Sequence, residues 1–239
     1  NIRAVTLGDG VTRVGNRAFQ NCPELTTFSL GANLQSIGDD AFNYCENLTG
    51  DLVIPDSVTE IGYGAFRGCK NLTSLTLGSG LKTISGDTFN GCSGLQSFSG
   101  LPSGLESIGS QAFAGCQNMA GELILPDGLK EVGIEAFRNC RSLTGTLVIP
   151  ESLTEIGIEA FSNCRNITGT LVIPDTLKEI PNGAFNYCEK LTGLDLGAVT
   201  TIGAEAFAKT HGLTEINIPA TVTSIGSNAF FSSGLDTIT

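Results

Sequence analysis

Apolar positions recur along the chain with a period of 22–24 residues. Phe19, Phe42, Phe66, Phe89, Phe113, Phe137, Phe161, Phe185, Phe207 and Phe230 set the period, at separations of 23, 24, 23, 24, 24, 24, 24, 22 and 23. Aligned on Phe, all ten units carry Val or Ile five positions earlier and Leu or Val eight positions earlier. Ala precedes Phe in nine units, with Thr88 the exception. Gly stands four positions before Phe in eight units, and Ser85 and Pro181 depart. Cys follows Phe by three in the first eight units, and Thr210 and Ser233 take its place in the last two.

One unit, residues 143–164, shows what the pattern predicts. Leu147 and Ile149 alternate with Val148, as in a strand with one buried face. Pro150 cannot donate to a ladder and marks the end of that strand. Leu153 and Ile156 fall on a second short extended or turning segment, and Gly157 permits a tight bend. Ala160, Phe161 and Cys164 lie at i, i+1 and i+4, the spacing of one face of a helical turn. The unit therefore reads as strand, turn, short segment, short helix. It is too small to bury its apolar face alone. Stacking solves this, with each coil covering the next and the strands forming a parallel sheet roughly 50 Å long.

The run A-F-x-x-C-x-x-L-T-x-x-L-x-I-P-x-x-L-x-x-I-G-x-x-A-F resembles the BspA-like subclass of leucine-rich repeats, over essentially all of the chain. The resemblance implies an α/β, right-handed leucine-rich-repeat solenoid of about ten 22–24-residue coils, with a parallel β-sheet on one face. It also implies an extracellular or cell-surface protein of the kind found in anaerobic gut and oral bacteria. Several similar proteins are implicated in binding host matrix proteins, epithelial cells or other microbes. Residues 1–239 read as one solenoid domain, without a linker or composition shift. Asn1 at the start, and a last unit that stops at Thr239 inside a strand pattern, predict a longer native protein.

Composition narrows the chemistry. Thirteen Lys and Arg against 24 Asp and Glu give a formal charge of −11. That balance offers no electrostatic footprint for nucleic acid. Apolar runs are too short for a transmembrane helix. The eight Cys occupy one equivalent site in successive coils, so their side chains point the same way. Disulfide geometry needs converging Cβ vectors about 3.8 Å apart, and stacked coils do not supply them. A column of buried free thiols is expected. No C-x-x-C spacing or His partner suggests a metal, and no cofactor motif is present. His211, the single histidine, reads as an exposed turn residue rather than a general base. Carboxylates such as Glu60, Glu131, Glu155 and Glu179 repeat at one position and predict a solvated stripe, not an acid/base pair. The sequons at Asn47, Asn71 and Asn166 arise where Asn meets the repeat's Leu/Ile-Thr pair.

The exposed strand face is the place for binding. Its two outward rows are mostly small and hydroxylated. Three consecutive coils depart, with Ile124, Val148 and Val172 forming an aliphatic stripe beside Thr146 and Thr170, rimmed by Glu122, Asp195 and Asn217. These eight residues are the candidate contact patch for a protein or glycan partner. A structural cause competes with that reading. Each coil with Val or Ile here, Val53 included, also carries the extra Gly of L-T-G-x-L-x-I-P, so side-chain identity and backbone geometry travel together. The function expected is a non-catalytic, adhesin-like binding module. The alternative is a passive spacer that presents another domain.

Overall fold

The computed structural model describes residues 2–239, and its architecture is a stack of coils. Coils are numbered here by their ladder Phe, from Phe19 in coil 1 to Phe230 in coil 10. Each coil contributes a strand to a first parallel sheet, such as Gly50–Val53, Leu72–Thr76, Ile167–Val172 and Leu191–Asp195. It then contributes a two-residue strand to a second parallel sheet, such as Ser107–Ile108, Glu131–Val132 and Glu155–Ile156. The second sheet corrects the expectation of a sheet on one face only. The segment around Leu153 and Ile156 is a strand because its backbone pairs with the coil before it, not because of its own propensity.

No helix forms among the described residues, so the α part of the α/β expectation is wrong. The A-F-x-x-C segment is a chain of turns. Within one coil, Ala160 N–H donates to Gly157, Ser162 to Glu159 and Cys164 to Phe161, each closing an i to i+3 turn. The intervening amides leave the coil: Glu159 donates to Asn182, Phe161 to Ala184 and Asn163 to Asn186, all in coil 8. A helix would have consumed those amides internally. Positive φ explains the difference. The residues two before and two after each ladder Phe are all left-handed, Glu159 at 55° and Asn163 at 64° among them. A single left-handed residue every four ends any helix before it propagates. This turn wall closes the third side of every coil.

The core runs the length of the stack. Phe42, Phe66, Phe89, Phe113, Phe137, Phe161, Phe185 and Phe207 are fully buried. Their rings stack in a continuous ladder from Phe19 to Phe230, with centroids 5.1 Å apart at Phe42–Phe66 and 5.5 Å at Phe137–Phe161. The thiols form a second column. All eight Cys are free, and all but Cys22 are buried. Each buried thiol donates to the carbonyl of the previous coil's ladder Phe, as Cys164 does to Phe137 at 3.2 Å. The Phe137 carbonyl also accepts the Cys140 N–H of its own coil at 3.1 Å. Cys is thus a small apolar filler with a donor that uses the second lone pair of a buried carbonyl. Thr210, at the same site in coil 9, turns its hydroxyl back to Phe207 of its own coil.

Burial pushes these thiols far from ionisation. Cys45 is raised to about 11 and Cys116 and Cys188 to about 12, with loss of solvation the largest cause. A thiolate reagent at neutral pH should therefore label native protein only at Cys22, and label eight thiols per chain once denaturant opens the coils. Rapid native labelling of more than one site, or fewer than eight in denaturant, would sink the buried-thiol column.

The Gly at four before Phe does not act as a bend residue, contrary to the sequence expectation. Its φ is not positive in any coil. What it provides is close approach. A Cβ on Gly133 would sit 2.5 Å from Ser110 N, and one on Gly109 would sit 2.5 Å from Gly86 N, both backbone atoms of the preceding coil. Seven of these glycines also donate N–H to the preceding coil, as Gly133 does to Ile108. The second sheet breaks at two places, between Glu60–Ile61 and Thr83–Ile84 and between Glu155–Ile156 and Glu179–Ile180. Those are the two boundaries entered by Ser85 and Pro181. At the first, Ser85 donates its hydroxyl to the Ile61 carbonyl at 2.6 Å where the other coils use the glycine N–H, and at the second, proline has no N–H to donate. Around the first break, Tyr63 and Arg67 of coil 3 both reach the buried carboxylate of Asp87 in coil 4, which ties the two coils by side chains instead.

Candidate binding face

The first sheet places the predicted patch on one open surface. Its register pairs Asp51 with Ser74, Val53 with Thr76, Thr170 with Gly193 and Val172 with Asp195, so the outward residues run side by side at those boundaries, while inside the patch Glu122 pairs with Thr144 and Thr146 with Thr168. Glu122, Ile124, Thr146, Val148, Thr170, Val172, Asp195 and Asn217 are all exposed. The aliphatic side chains are bare, with Ile124 at 67%, Val148 at 66% and Val172 at 52% exposure, while Leu147 and Leu171 between them are buried. Alternation in a pleated strand produces this split.

The Gly that accompanies each aliphatic residue has a definite role. Gly50, Gly121, Gly145 and Gly169 all have positive φ, between 79° and 110°. Register shifts occur beside two of them, at Gly50/Asp51 and Gly169/Thr170, where the partner strand carries the extra residue, Thr73 and Thr192 respectively. A Cβ at Gly169 would also lie 2.5 Å from the Thr146 hydroxyl oxygen of the coil before. Each of these glycines lies three residues before the exposed Val or Ile.

The first sheet is interrupted at three boundaries, and each interruption opens a groove that the sequence did not disclose. The largest, about 500 Å³, lies between Leu191–Asp195 and Glu215–Ile216 and brings Thr170, Glu215, Asn217, Thr237 and Thr239 together. Another, about 340 Å³, has Ile124, Leu125 and Pro126 on one wall and Leu101 on the other. The structure therefore joins Thr170 and Asn217 in a polar recess and sets Ile124 at the edge of a more apolar one. Asp195 is held by its own turn, accepting the Gly197 N–H at 3.1 Å. Asp51, which shares this face, accepts the Ser74 hydroxyl at 2.5 Å.

Charge is distributed unevenly among the faces. The two outward rows carry Asp51, Glu122, Asp195 and Glu215 and no lysine or arginine. The ion pairs lie elsewhere. Lys130–Glu106 borders the second sheet, Arg138 pairs with Glu135 and Glu159 on the turn wall, and Lys70–Glu46 lies at a corner. Glu131, Glu155 and Glu179 form the expected exposed stripe on the second sheet. His211 is exposed. No cluster of metal-ligating groups forms among the described residues, and no helix there is long and apolar enough to cross a membrane.

The sequon asparagines are occupied. Asn47, Asn71 and Asn166 each donate the side-chain amide to a carbonyl of the preceding coil, Pro23, Glu46 and Arg141 respectively, at 2.8–2.9 Å. Asn118, outside any sequon, makes the same bond to Ser93. The asparagine is a rung between coils, which gives it a structural cause independent of glycosylation.

Comparison with known proteins bears on the whole chain. A family model described as BspA type leucine rich repeat region matches residues 1–120 and 119–236. A leucine-rich repeat protein of Bacteroides ovatus has a similar structure, with 23% identity, TM-score 0.65, and coverage of 97% of this chain and 76% of its own. A leucine rich cell surface protein of Faecalibacterium prausnitzii is 26% identical, with TM-score 0.52 and coverage of 99% and 78%. A leucine-rich repeat protein of Eubacterium ventriosum is 20% identical, with TM-score 0.50 and coverage of 99% and 84%. No curated protein matches the chain.

Proposed function

The chain belongs to the BspA-type leucine-rich repeat family, and we propose that it is a non-catalytic, adhesin-like binding module that meets a protein or glycan partner through the first-sheet face. One observation carries the reading: Ile124, Val148 and Val172 stand bare in consecutive coils, beside open grooves. Contiguous exposed apolar residues rimmed by polar ones mark interaction surfaces. The similarity to a cell-surface protein of Faecalibacterium prausnitzii supports placing this chain at a cell surface. Nucleic acid is a poor partner for a chain of charge −11.

The passive-spacer reading has its own support. Each aliphatic residue of the stripe follows a positive-φ Gly by three, so the stripe travels with that backbone conformation. Purified host matrix proteins and a glycan array, probed with the wild type and with Val148→Asp, separate the two. An adhesin should capture at least one component and lose about tenfold or more in affinity on Val148→Asp, the scale of a central contact. Ile158→Asp, on an exposed residue of the turn wall, should leave that affinity unchanged. Capture that survives Val148→Asp moves the site off this face, and no capture at all favours the spacer.

A further inference from the structure

The geometry points to a cationic protein segment as the partner of the first-sheet face, bound in extended form along the solenoid axis. This rests on the reading that the face is a binding surface and says what chemistry it takes. Four carboxylates, Asp51, Glu122, Asp195 and Glu215, stand on its outward rows. None of them is in an ion pair within the described residues, although ion pairs occur on the turn wall, at its corners and beside the second sheet. All the lysines and arginines of the chain lie off these rows. The face thus has a negative potential that the molecule itself does not neutralise, and a cationic partner complements it.

Spacing gives the partner a shape. Glu122 belongs to coil 6 and Asp195 to coil 9, three coil steps or about 14 Å apart along the axis at the usual strand spacing, and they stand in neighbouring outward rows. Between them run Ile124, Val148 and Val172. An extended chain advances about 3.3 Å per residue, so about four residues cover the axial distance, and long cationic side chains at its two ends reach across the offset between the rows. Side chains at i and i+4 of an extended segment share a face, and i+2 shares it with them. A segment with a cation at i and i+4 and an aliphatic residue at i+2 therefore sets its charges on Glu122 and Asp195 and its apolar side chain on the stripe. Sulfated or sialylated glycans carry the wrong sign for this face.

The test uses the whole chain and a short fluorescein-labelled peptide with Lys at every fourth position, Val midway between, and Thr elsewhere. Anisotropy should show binding that weakens as salt is raised, and none for the same peptide with Glu in place of Lys. Glu122→Gln with Asp195→Asn should weaken binding about fivefold, as loss of two exposed ion pairs does. Glu155→Gln with Glu179→Gln removes equal charge from the second sheet and should change it less than about twofold. Equal losses in the two double variants would mean attraction by net charge and overturn the proposal. So would the absence of binding by the wild type at low salt. Heparin serves as the anionic-glycan arm, and its capture at this face would overturn the proposal as well. If Val148→Asp abolishes capture of any neutral or anionic partner, the face stands as the binding surface and only its cationic complement falls. If Val148→Asp and the Glu122/Asp195 variant both leave every captured partner unaffected, the face reading falls with it.

Discussion

Phe137→Ala should cost roughly 3–5 kcal/mol, the range for truncating a fully buried aromatic. The chain is long, so this corresponds to a melting temperature lower by roughly 6–20 °C. Phe137 is fully buried, with Phe113 stacked at 5.2 Å on one side and Phe161 at 5.5 Å on the other. Alanine removes two ring contacts and leaves a void that the flanking coils cannot close, because three backbone bonds per boundary fix their spacing at the turn wall. Phe230 stacks on Phe207 alone and is only partly buried, so Phe230→Ala should cost clearly less. Urea denaturation of both variants decides the matter. Equal losses would contradict stability by nearest-neighbour stacking. The unfolding should also stay cooperative. First-sheet interruptions fall at the boundaries of coils 2/3, 5/6 and 9/10, and second-sheet interruptions at 3/4 and 7/8. No boundary loses both ladders, so the stack has no ready plane of separation.

Gly133→Ala and Gly15→Ala should change stability in opposite directions, although both occupy the same repeat position. At Gly133 the new methyl meets Ser110 N at 2.5 Å and Gly109 C at 2.7 Å. Backbone cannot rotate away as a side chain can, so coils 5 and 6 must separate, at a cost of about 3 kcal/mol, the upper end for overpacking. At Gly15 a Cβ meets nothing within 4 Å, and φ is not positive. Alanine there should stabilise the fold by about 0.4–1 kcal/mol, by restricting the unfolded chain. Thermal melts of the two variants read the sign directly. Destabilisation at Gly15 comparable to that at Gly133 would show that the column is needed for conformation, not for close approach.

The period, the Phe ladder, the thiol column and the outward rows were legible because each is set by which residues face inward, and stacking repeats that choice in every coil. The turn wall was not legible as turns. Ala160, Phe161 and Cys164 have helical spacing, and inward-facing side chains alone do not distinguish a helix from alternating right- and left-handed residues. A signal was present at the flanking positions: Asp40, Gly64, Gly68, Asp87, Asn139, Asn163 and Gly183 are the residue types that tolerate positive φ. The second sheet escaped notice because two-residue strands carry no alternation. Ser85 and Pro181 were visible as departures. Their consequence for the ladder depended on knowing that the glycine they replace touches the coil before. At the candidate face, the sequence shows the stripe and its rim, whereas the grooves arise from interruptions of pairing that no single coil encodes.

The turn wall also has an electrical direction of its own. At every boundary from coil 1 to coil 10, three of its N–H groups donate to the following coil, as Gln111, Phe113 and Gly115 of coil 5 donate to Ile134, Ala136 and Arg138. The thiol of each buried Cys donates in the opposite sense, but these three backbone bonds all run one way. Each peptide carries a dipole of about 3.5 D, and aligned peptides add head to tail. In an α-helix that alignment follows the chain; here it runs across it, from coil to coil. Amide hydrogens point toward coil 10 and carbonyl oxygens toward coil 1, so the wall has a positive pole at the higher-numbered end and a negative pole at the other. Adding coils would lengthen the separation of the poles without enlarging either. The second-sheet side opposes this direction, since there Gly133 donates to Ile108 and Lys130 to Glu106 of the coil before, so the wall's dipole meets an opposing set of bonds within the same stack.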